Sequence, residues 1–210
     1  IMIRIHTFGD SHSSHEHSQW GKIKLPNVNI NCNHIGPKLM YSFGRMGLEL
    51  LDIRNYGVEE NDIIIFCFGE IDCRNHVHKH VNKDKTYKVV INDIVNIYFN
   101  SIKENISLFE NLKVCIYNVV PPLRYIDVGA DHPFPFLGSD EERKLYYNYM
   151  NFKIEELCKQ NNFIFFDIYK ESCDEQGFIK NEYCDGVCHL IHPEHTINFI
   201  KNNLLKKYHK

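Results

Sequence analysis

The chain has 210 residues, of which 43% are hydrophobic, 24% charged and 13% aromatic, and its formal net charge is −3. This length is enough to bury a core and predicts one domain over residues 1–210, and the balanced composition excludes a disordered or collagen-like chain. The slight negative charge argues against a nucleic-acid partner, and no apolar stretch is long enough to predict a membrane span.

The N-terminal segment and the number of cysteines indicate in which cellular compartment the protein is located. No hydrophobic segment of signal-peptide length precedes the first polar residues, so we expect no export signal. Eight cysteines are too few for a secreted disulfide scaffold of this length. We therefore expect mostly reduced thiols and a cytoplasmic protein, whose oligomeric state the sequence does not indicate.

Apolar segments typical of buried β-strands alternate with segments of helical periodicity. The strand candidates are nearly continuous apolar runs, as expected for parallel strands covered on both faces. In chain order they are residues 1–8, 28–35 (the weakest), 62–68, 112–120 and 163–168. Helices are predicted over residues 38–51, 86–110, 139–160 and 193–207. This alternation predicts an α/β sandwich with a mainly parallel sheet, in which ligands bind at the carboxyl ends of the strands.

Polar residues follow the first predicted strand, in the sequence Gly9-Asp10-Ser11-His12. A serine on a sharp glycine-containing turn can expose its hydroxyl as a nucleophile while backbone N–H groups point nearby. The alternative is a simple turn in which Asp10 or Ser11 caps a helix. Near the end of the chain, Asp185 and His189 could supply a base and the acid that orients it, although such pairs are also common by chance.

Taken in order, these blocks resemble the SGNH hydrolase family, also called GDSL-type esterases. The resemblance rests on Gly9-Asp10-Ser11, a following glycine, Gly69-x-x-Asp72, and Asp185 before His189, and it covers essentially the whole chain. It implies a flavodoxin-like, three-layer α/β/α sandwich with about five mainly parallel strands. It also implies acyl transfer through a covalent ester on a serine, without a cofactor.

The resemblance also assigns roles to residues. Ser11 is expected to be the nucleophile, His189 its base and Asp185 the acid that orients the base. The oxyanion hole is expected to contain the N–H groups of Ser11 and Gly36, with Gly44 as a weaker candidate, and Asp72. Substrate-binding residues are expected among Asp10, His12, Glu70, Arg74 and His132.

Two features depart from the family pattern. Asp72 stands where the family has asparagine, and an ionised carboxylate cannot donate a hydrogen bond to an oxyanion. Asp72 could be protonated, Arg74 could neutralise it or stabilise the oxyanion itself, or Asp72 could have a structural role instead. Three residues, not the usual two, separate Asp185 from His189. Either a helical turn or a bulged loop could accommodate this spacing, and the other possible triad partners are His192 and Asp174.

The predicted function is hydrolysis of ester-linked acyl groups, such as O-acetyl groups on a carbohydrate, with a small-molecule or glycan ester as the binding partner. An O-acyltransferase that uses the same acyl-enzyme and a degenerate domain that binds glycans without turnover are the alternatives. A zinc site is a chemical rival, and a cysteine nucleophile is another. Zinc could be bound in one of three clusters, namely His12, His15 and His17; His76, His78 and His80, expected on one face of an extended segment; and Cys184, Cys188, His189, His192 and His195.

Overall fold

The computed structural model describes residues 1–129 and 134–206, and its centre is one five-stranded parallel sheet. The strands lie in the order β2-β1-β3-β4-β5, and every neighbouring pair is parallel. This is the flavodoxin-like order, so the predicted α/β fold is confirmed. The strands are β1 (Ile3–Gly9), β2 (Val28–His34), β3 (Ile63–Cys67), β4 (Lys113–Tyr117) and β5 (Ile164–Phe166).

All five strands fall within or beside the predicted segments, but β4 is shorter than the predicted 112–120. The Asn118 N–H still donates to the Phe166 carbonyl of β5 at 3.1 Å, but the next N–H, that of Val119, donates to a side-chain oxygen, Asn151 Oδ1, at 2.7 Å. Asn118 meanwhile accepts the Ile168 N–H through Oδ1 at 2.9 Å. The chain leaves the sheet at this point and begins the long connection to the next helix.

Helices connect the strands. They are α1 (Met40–Met46), α2 (Val77–His80), α3 (Tyr87–Ile106), α4 (Asp140–Asn161), α5 (Tyr169–Ser172) and α6 (Glu194–Phe199). The predicted capping box at the start of α4 is present, since Ser139 Oγ accepts the Glu142 N–H and Glu142 accepts the Ser139 N–H. α1 ends earlier than the predicted segment 38–51, because Gly47 follows it with a φ of 54°, outside the helical range.

The segment that carries His76, His78 and His80 differs from its prediction. It was expected to be extended, but a π-helical turn over Asp72–His76 runs directly into α2. The rings of His76 and His80 therefore lie one helical turn apart, with centroids 4.5 Å from each other and planes tilted by 58°. His78 points elsewhere and bonds the Tyr146 hydroxyl at 2.8 Å.

Side chains alternate along the strands and pack into two cores, one on each face of the sheet. On one face, Phe8 and Phe66 pack with residues of α1, α3 and α4. On the other face, Ile5 and Ile65 pack around Trp20 and the helical segment Ile200–Leu204. Helices thus cover both faces, which explains the almost continuously apolar strands.

Two further observations concern the whole of the described chain. All eight cysteines are free thiols. Within residues 1–129 and 134–206, none of the helices has both the length and the apolar character required to cross a membrane.

Candidate active site

Ser11 begins a short 3₁₀ turn, Ser11–Ser13, immediately after β1. The Asp10 carboxylate caps this turn by accepting the His12 N–H at 2.9 Å. The turn presents the Ser11 hydroxyl at the carboxyl edge of the sheet, where its Oγ atom lies 2.6 Å from His189 Nε2. The hydroxyl is therefore within hydrogen-bonding distance of a base that is 178 residues away in the sequence.

The other ring nitrogen of His189 meets Asp185. Nδ1 lies 2.6 Å from Asp185 Oδ2, and a carboxylate oxygen can only accept, so Nδ1 carries the proton. Nε2 then has the free lone pair and accepts the hydroxyl proton of Ser11. The structure thus brings together Ser11, His189 and Asp185 in one continuous hydrogen-bonded chain.

A tight loop, not a helix, accommodates the extra residue between Asp185 and His189. The Oδ1 atom of Asp185 accepts the backbone N–H groups of Val187, Cys188 and His189 at 2.9–3.0 Å. Burial raises the pKa of Asp185, but its hydrogen bond from His189, the electrostatic interaction with that ring and the backbone N–H groups outweigh burial. The pKa therefore lies well below its ordinary value, and the carboxylate stays ionised.

The two alternative triad partners are engaged elsewhere. The His192 ring stacks on Tyr183, with centroids 4.1 Å apart and planes 10° from parallel. The Asp174 carboxylate binds the Arg124 guanidinium at 2.7 Å. Neither side chain joins the chain of hydrogen bonds at Ser11.

Two backbone N–H groups are available at the same edge of the sheet as the Ser11 hydroxyl. β1 and β2 are in register there, with Gly9 opposite His34, and the Ile35 N–H donates to the Gly9 carbonyl at 2.8 Å. Ser11 lies two residues after Gly9, and Gly36 lies two residues after His34. Among the hydrogen bonds of the described residues, neither the Ser11 N–H nor the Gly36 N–H donates. Gly36 has a φ of 126°, a conformation that favours glycine.

Asp72 has a structural role, which is the third of the alternatives left open by the sequence. Its side chain is fully buried and caps α1, with Oδ2 accepting the Met40 N–H at 2.7 Å and Oδ1 accepting the Tyr41 N–H at 3.1 Å. Burial raises the pKa of Asp72 to about 7, although these two hydrogen bonds lower it. Because both oxygens are occupied by helix N–H groups, these contacts do not support the expected role in the oxyanion hole.

Asp10 and His12, expected to bind substrate, are turned inward and are only 1% and 4% exposed. Asp10 Oδ1 lies 2.9 Å from His12 Nδ1, and His12 Nε2 lies 3.2 Å from the Cys188 carbonyl oxygen. The His12 ring also lies beside the His189 ring, with centroids 4.8 Å apart. These contacts make the two residues part of the support beneath Ser11 and His189, not a surface for substrate.

Glu70 and Arg74 are likewise paired with each other instead of being open to substrate. Both are buried, and Arg74 Nε donates to the two Glu70 carboxylate oxygens at 2.8 and 3.1 Å. Arg74 Nη1 donates to the Pro135 carbonyl at 3.2 Å, and the guanidinium lies over the rings of Phe134 and Phe136. The ion pair therefore anchors the segment that precedes α4.

Gly44 was the weaker candidate for the oxyanion hole, and His132 was a candidate for substrate binding. Gly44 lies within α1, and a Cβ atom there would come within 2.4 Å of the Ile97 side chain of α3. Its role is close packing of two helices, not donation to an oxyanion. His132 lies outside the described residues.

One group of side chains has the composition of a metal site. The ligand atoms of His12, Cys188 and His189 all lie within 4.8 Å of one another. The hydrogen bonds leave the rings without a spare lone pair, however, because both His12 nitrogens face acceptors and His189 Nε2 accepts from Ser11. This arrangement fits a hydrogen-bonded network better than a zinc site.

Sequence reasoning missed two features of the site. The exposed His17 ring stacks on His189, with centroids 5.8 Å apart, and so forms part of the mouth of the site. The Cys188 carbonyl accepts from His12, and a backbone carbonyl has no sequence signal. The numerous histidines near Ser11 were the only clue to either contact.

No protein-family model matches the sequence, and no curated protein matches it either. Solved structures do match: a GDSL-like lipase from Bacteroides thetaiotaomicron is 16% identical with a TM-score of 0.61, over 97% of this chain and 88% of that chain. An aryl esterase from M. smegmatis is 11% identical with a TM-score of 0.56, and a carbohydrate acetylesterase from Sinorhizobium meliloti is 14% identical with a TM-score of 0.54. Each of these two covers 94% of this chain and 94% of its own. The chain therefore has the fold of the GDSL-type, or SGNH, hydrolases, the family that its sequence blocks resemble.

Proposed function

We propose that the protein is a serine esterase that removes short acyl groups from ester-linked oxygen, with Ser11, His189 and Asp185 as its catalytic triad. The observation that carries this proposal is the continuous chain of two hydrogen bonds, each 2.6 Å long, through these three side chains. A nucleophile, a base of defined tautomer and an ionised orienting acid are what acyl transfer requires.

In the first half-reaction, Ser11 Oγ attacks the carbonyl carbon of the ester while His189 Nε2 takes the hydroxyl proton. The ionised Asp185 stabilises the resulting imidazolium through its bond to Nδ1. The tetrahedral intermediate then collapses, the bond to the leaving oxygen breaks, and His189 returns the proton to the departing alcohol. The acyl group remains on Ser11 as an ester.

In the second half-reaction, water attacks this ester with His189 again acting as the base. The acid is released, and the proton returns to Ser11 Oγ. Negative charge on the carbonyl oxygen is held in both steps by the N–H groups of Ser11 and Gly36, which donate to no other group among the described residues. Asp72 is omitted from this oxyanion hole because its carboxylate caps α1. Two preorganised donors of this kind commonly contribute on the order of 10²–10³ in rate each.

A short acyl group on a carbohydrate is the substrate class that we favour. The exposed imidazoles of His17 and His34 lie beside each other at the mouth of the site, with centroids 6.4 Å apart, and His17 covers His189. Imidazole nitrogens can donate to and accept from sugar hydroxyls. The similarity of the fold to that of a carbohydrate acetylesterase also supports this choice.

The test compares wild-type protein with Ser11→Ala on aryl acetate, aryl octanoate and an O-acetylated xylo-oligosaccharide. We expect wild-type protein to release acetate from the sugar and to prefer acetate to octanoate. Ser11→Ala should lose activity by a factor of about 10⁶ while keeping its circular dichroism spectrum. Turnover retained in Ser11→Ala, or no turnover of any ester by folded wild-type protein, contradicts the proposal. Turnover of the aryl esters alone contradicts only the carbohydrate substrate.

A further inference from the structure

Among the described residues, two aspartate–histidine pairs lie at the carboxyl edge of the sheet. Asp185 with His189 belongs to the proposed triad. Asp10 with His12 lies directly behind it, buried, with the two histidine rings 4.8 Å apart. The proposed mechanism does not use this second pair.

The contacts of His12 determine its protonation. Nδ1 lies 2.9 Å from a carboxylate oxygen of Asp10, and Nε2 lies 3.2 Å from the carbonyl oxygen of Cys188. Both of these oxygens are acceptors only, so each ring nitrogen must carry a hydrogen. A histidine with two N–H donors is an imidazolium, and the adjacent carboxylate balances its charge.

We propose that His12 is a positioning residue, charged at neutral pH, which holds the turn that carries Ser11 against the loop that carries His189. This inference rests on the proposed function and deepens it. His12 is buried and does not touch substrate. It acts through the Cys188 carbonyl, and hence through the placement of His189.

The geometry explains why this bridge, the hydrogen bond from His12 Nε2 to the Cys188 carbonyl, is effective. Two consecutive residues, Ser11 and His12, meet two consecutive residues, His189 and Cys188, so the loops are joined by two adjacent bonds. The first bond must open during every catalytic cycle, when the Ser11 proton moves. The second, which is charge-assisted, keeps the loops in place throughout. Displacement of a reacting group by about 1 Å costs on the order of 10² in rate.

The surroundings of His12 support the charged form. Burial lowers the pKa of His12, but the charge and hydrogen bond of Asp10 and a more distant contribution from Glu70 raise it to about 9. The charged or titratable groups that face the ring come from four parts of the chain, and they are Asp10, His34, Glu70, Cys188 and His189. The imidazolium is therefore present below about pH 9 and is lost as the pH rises through that value.

The first measurement is nitrogen NMR on wild-type protein that contains ¹⁵N-labelled histidine. We expect both ring nitrogens of His12 to be protonated at pH 7.5, where an unperturbed histidine is largely neutral. This measurement requires no activity and no variant. A neutral His12 ring at pH 7.5 overturns the proposal.

The second measurement is the rate at which a fluorophosphonate labels Ser11, as a function of pH. His12→Phe keeps a ring but loses both donors, and we expect labelling about 10²-fold slower at pH 8. The labelling rate of wild-type protein should fall as pH rises through about 9, and His12→Phe should lack that decline. His15→Phe, an exposed change in the same segment, should behave as wild type. Unchanged labelling in His12→Phe, or no decline in wild type, overturns the proposal.

These measurements distinguish a failure of the proposed role of His12 from a failure of the proposed esterase function. If wild-type Ser11 is not labelled at all, the esterase proposal fails. The bridge is then judged by the NMR signal of the proton on His189 Nδ1, which should shift in His12→Phe and stay unchanged in His15→Phe. If His12→Phe does not fold, the pH dependence of wild-type labelling and the protonation of His12 still decide the inference.

Discussion

Asp185 contacts His189 twice: Oδ1 accepts the backbone N–H of His189 at 3.0 Å, and Oδ2 accepts its ring Nδ1 at 2.6 Å. One carboxylate therefore builds the loop and orients the base. The loop that results spans three intervening residues, and its shape depends on Oδ1, whereas the tautomer of the ring depends on Oδ2.

Asp185→Asn separates these two roles. The amide oxygen can still accept the backbone N–H groups, so the loop should keep its shape. The amide nitrogen cannot accept from Nδ1 and favours the tautomer with the proton on Nε2, which cannot take the Ser11 proton. We expect kcat to fall by about 10⁴ with little change in melting temperature.

Asp185→Ala is the matched comparison, because it removes both roles. It leaves three backbone N–H groups without their acceptor, so it should lower the melting temperature as well as kcat. Steady-state kinetics and thermal denaturation of the two variants provide the measurement. Equal stability loss in both variants contradicts a loop that is built on Oδ1.

Asp72→Asn tests the capping role of Asp72. If this residue were a misplaced oxyanion-hole group, asparagine would donate and raise activity. We expect instead no gain in activity and a loss of about 1–3 kcal/mol at pH 8, since an amide NH₂ must then face the Met40 or Tyr41 N–H. Ester hydrolysis assays and urea denaturation check both parts, and an increase in kcat contradicts the assignment.

The stability of the wild-type protein should also depend on pH through Asp72. The folded chain holds this proton up to about pH 7, whereas an unfolded aspartate releases it near its ordinary pKa of 3.8. Between these values the folded state binds more protons, so the contribution of Asp72 to the free energy of unfolding falls as pH rises. Urea midpoints at pH 5 and pH 8 should therefore differ more for wild type than for Asp72→Asn, and the same pH dependence in both proteins contradicts this linkage.

The buried ion pair of Glu70 and Arg74 should matter for stability. Removal of one partner leaves an uncompensated buried charge, so Arg74→Met and Glu70→Gln should each cost about 3–5 kcal/mol. The double variant should cost clearly less than the sum of the two single variants. Urea denaturation of all four proteins completes the cycle, and additive costs contradict a direct pairing.

Gly36→Ala tests the second donor of the oxyanion hole. Among the described residues, a Cβ atom at this position meets nothing closer than 3.7 Å, so the effect comes from the φ of 126°, which alanine disfavours. The backbone must rotate and turn its N–H away, and we expect kcat to fall by about 10²–10³ with a smaller change in KM.

Gly57→Ala is the control for this change. Gly57 also has a positive φ, of 73°, and no described residue would contact a Cβ atom there. It neighbours Arg4 at the start of β1, at the opposite edge of the sheet from Ser11. It should lose some stability and keep full activity. Equal activity loss in both variants contradicts a specific role for Gly36.

Much of the fold could be predicted from the sequence, because buried parallel strands consist of nearly continuous apolar residues. Residues 62–68 and β3 (Ile63–Cys67) agree closely for this reason. Strand and helix ends were less predictable where side chains take over the backbone hydrogen bonds. The end of β4 depends on Asn151, which is far away in the sequence.

In the candidate site, too, some features could be predicted from the sequence and others depend on distant parts of the chain. Residue types and their order identified Ser11, Asp185 and His189 as candidates, and the structure brings these three together. Which polar residues face inward could not be predicted, because Asp72 and His12 find their partners in α1 and at Cys188, distant parts of the chain. A charged residue near a strand end is equally compatible with a substrate contact and with a buried cap.

The central claim is that Ser11 is an activated nucleophile, and the most direct test is covalent labelling followed by intact mass measurement. Wild-type protein and Ser11→Ala are each treated with a fluorophosphonate at neutral pH. We predict that wild-type protein gains the mass of one phosphonyl group, that peptide mapping places it on Ser11, and that Ser11→Ala gains none. A folded wild-type protein that gains no mass, or an adduct that persists in Ser11→Ala, contradicts the claim.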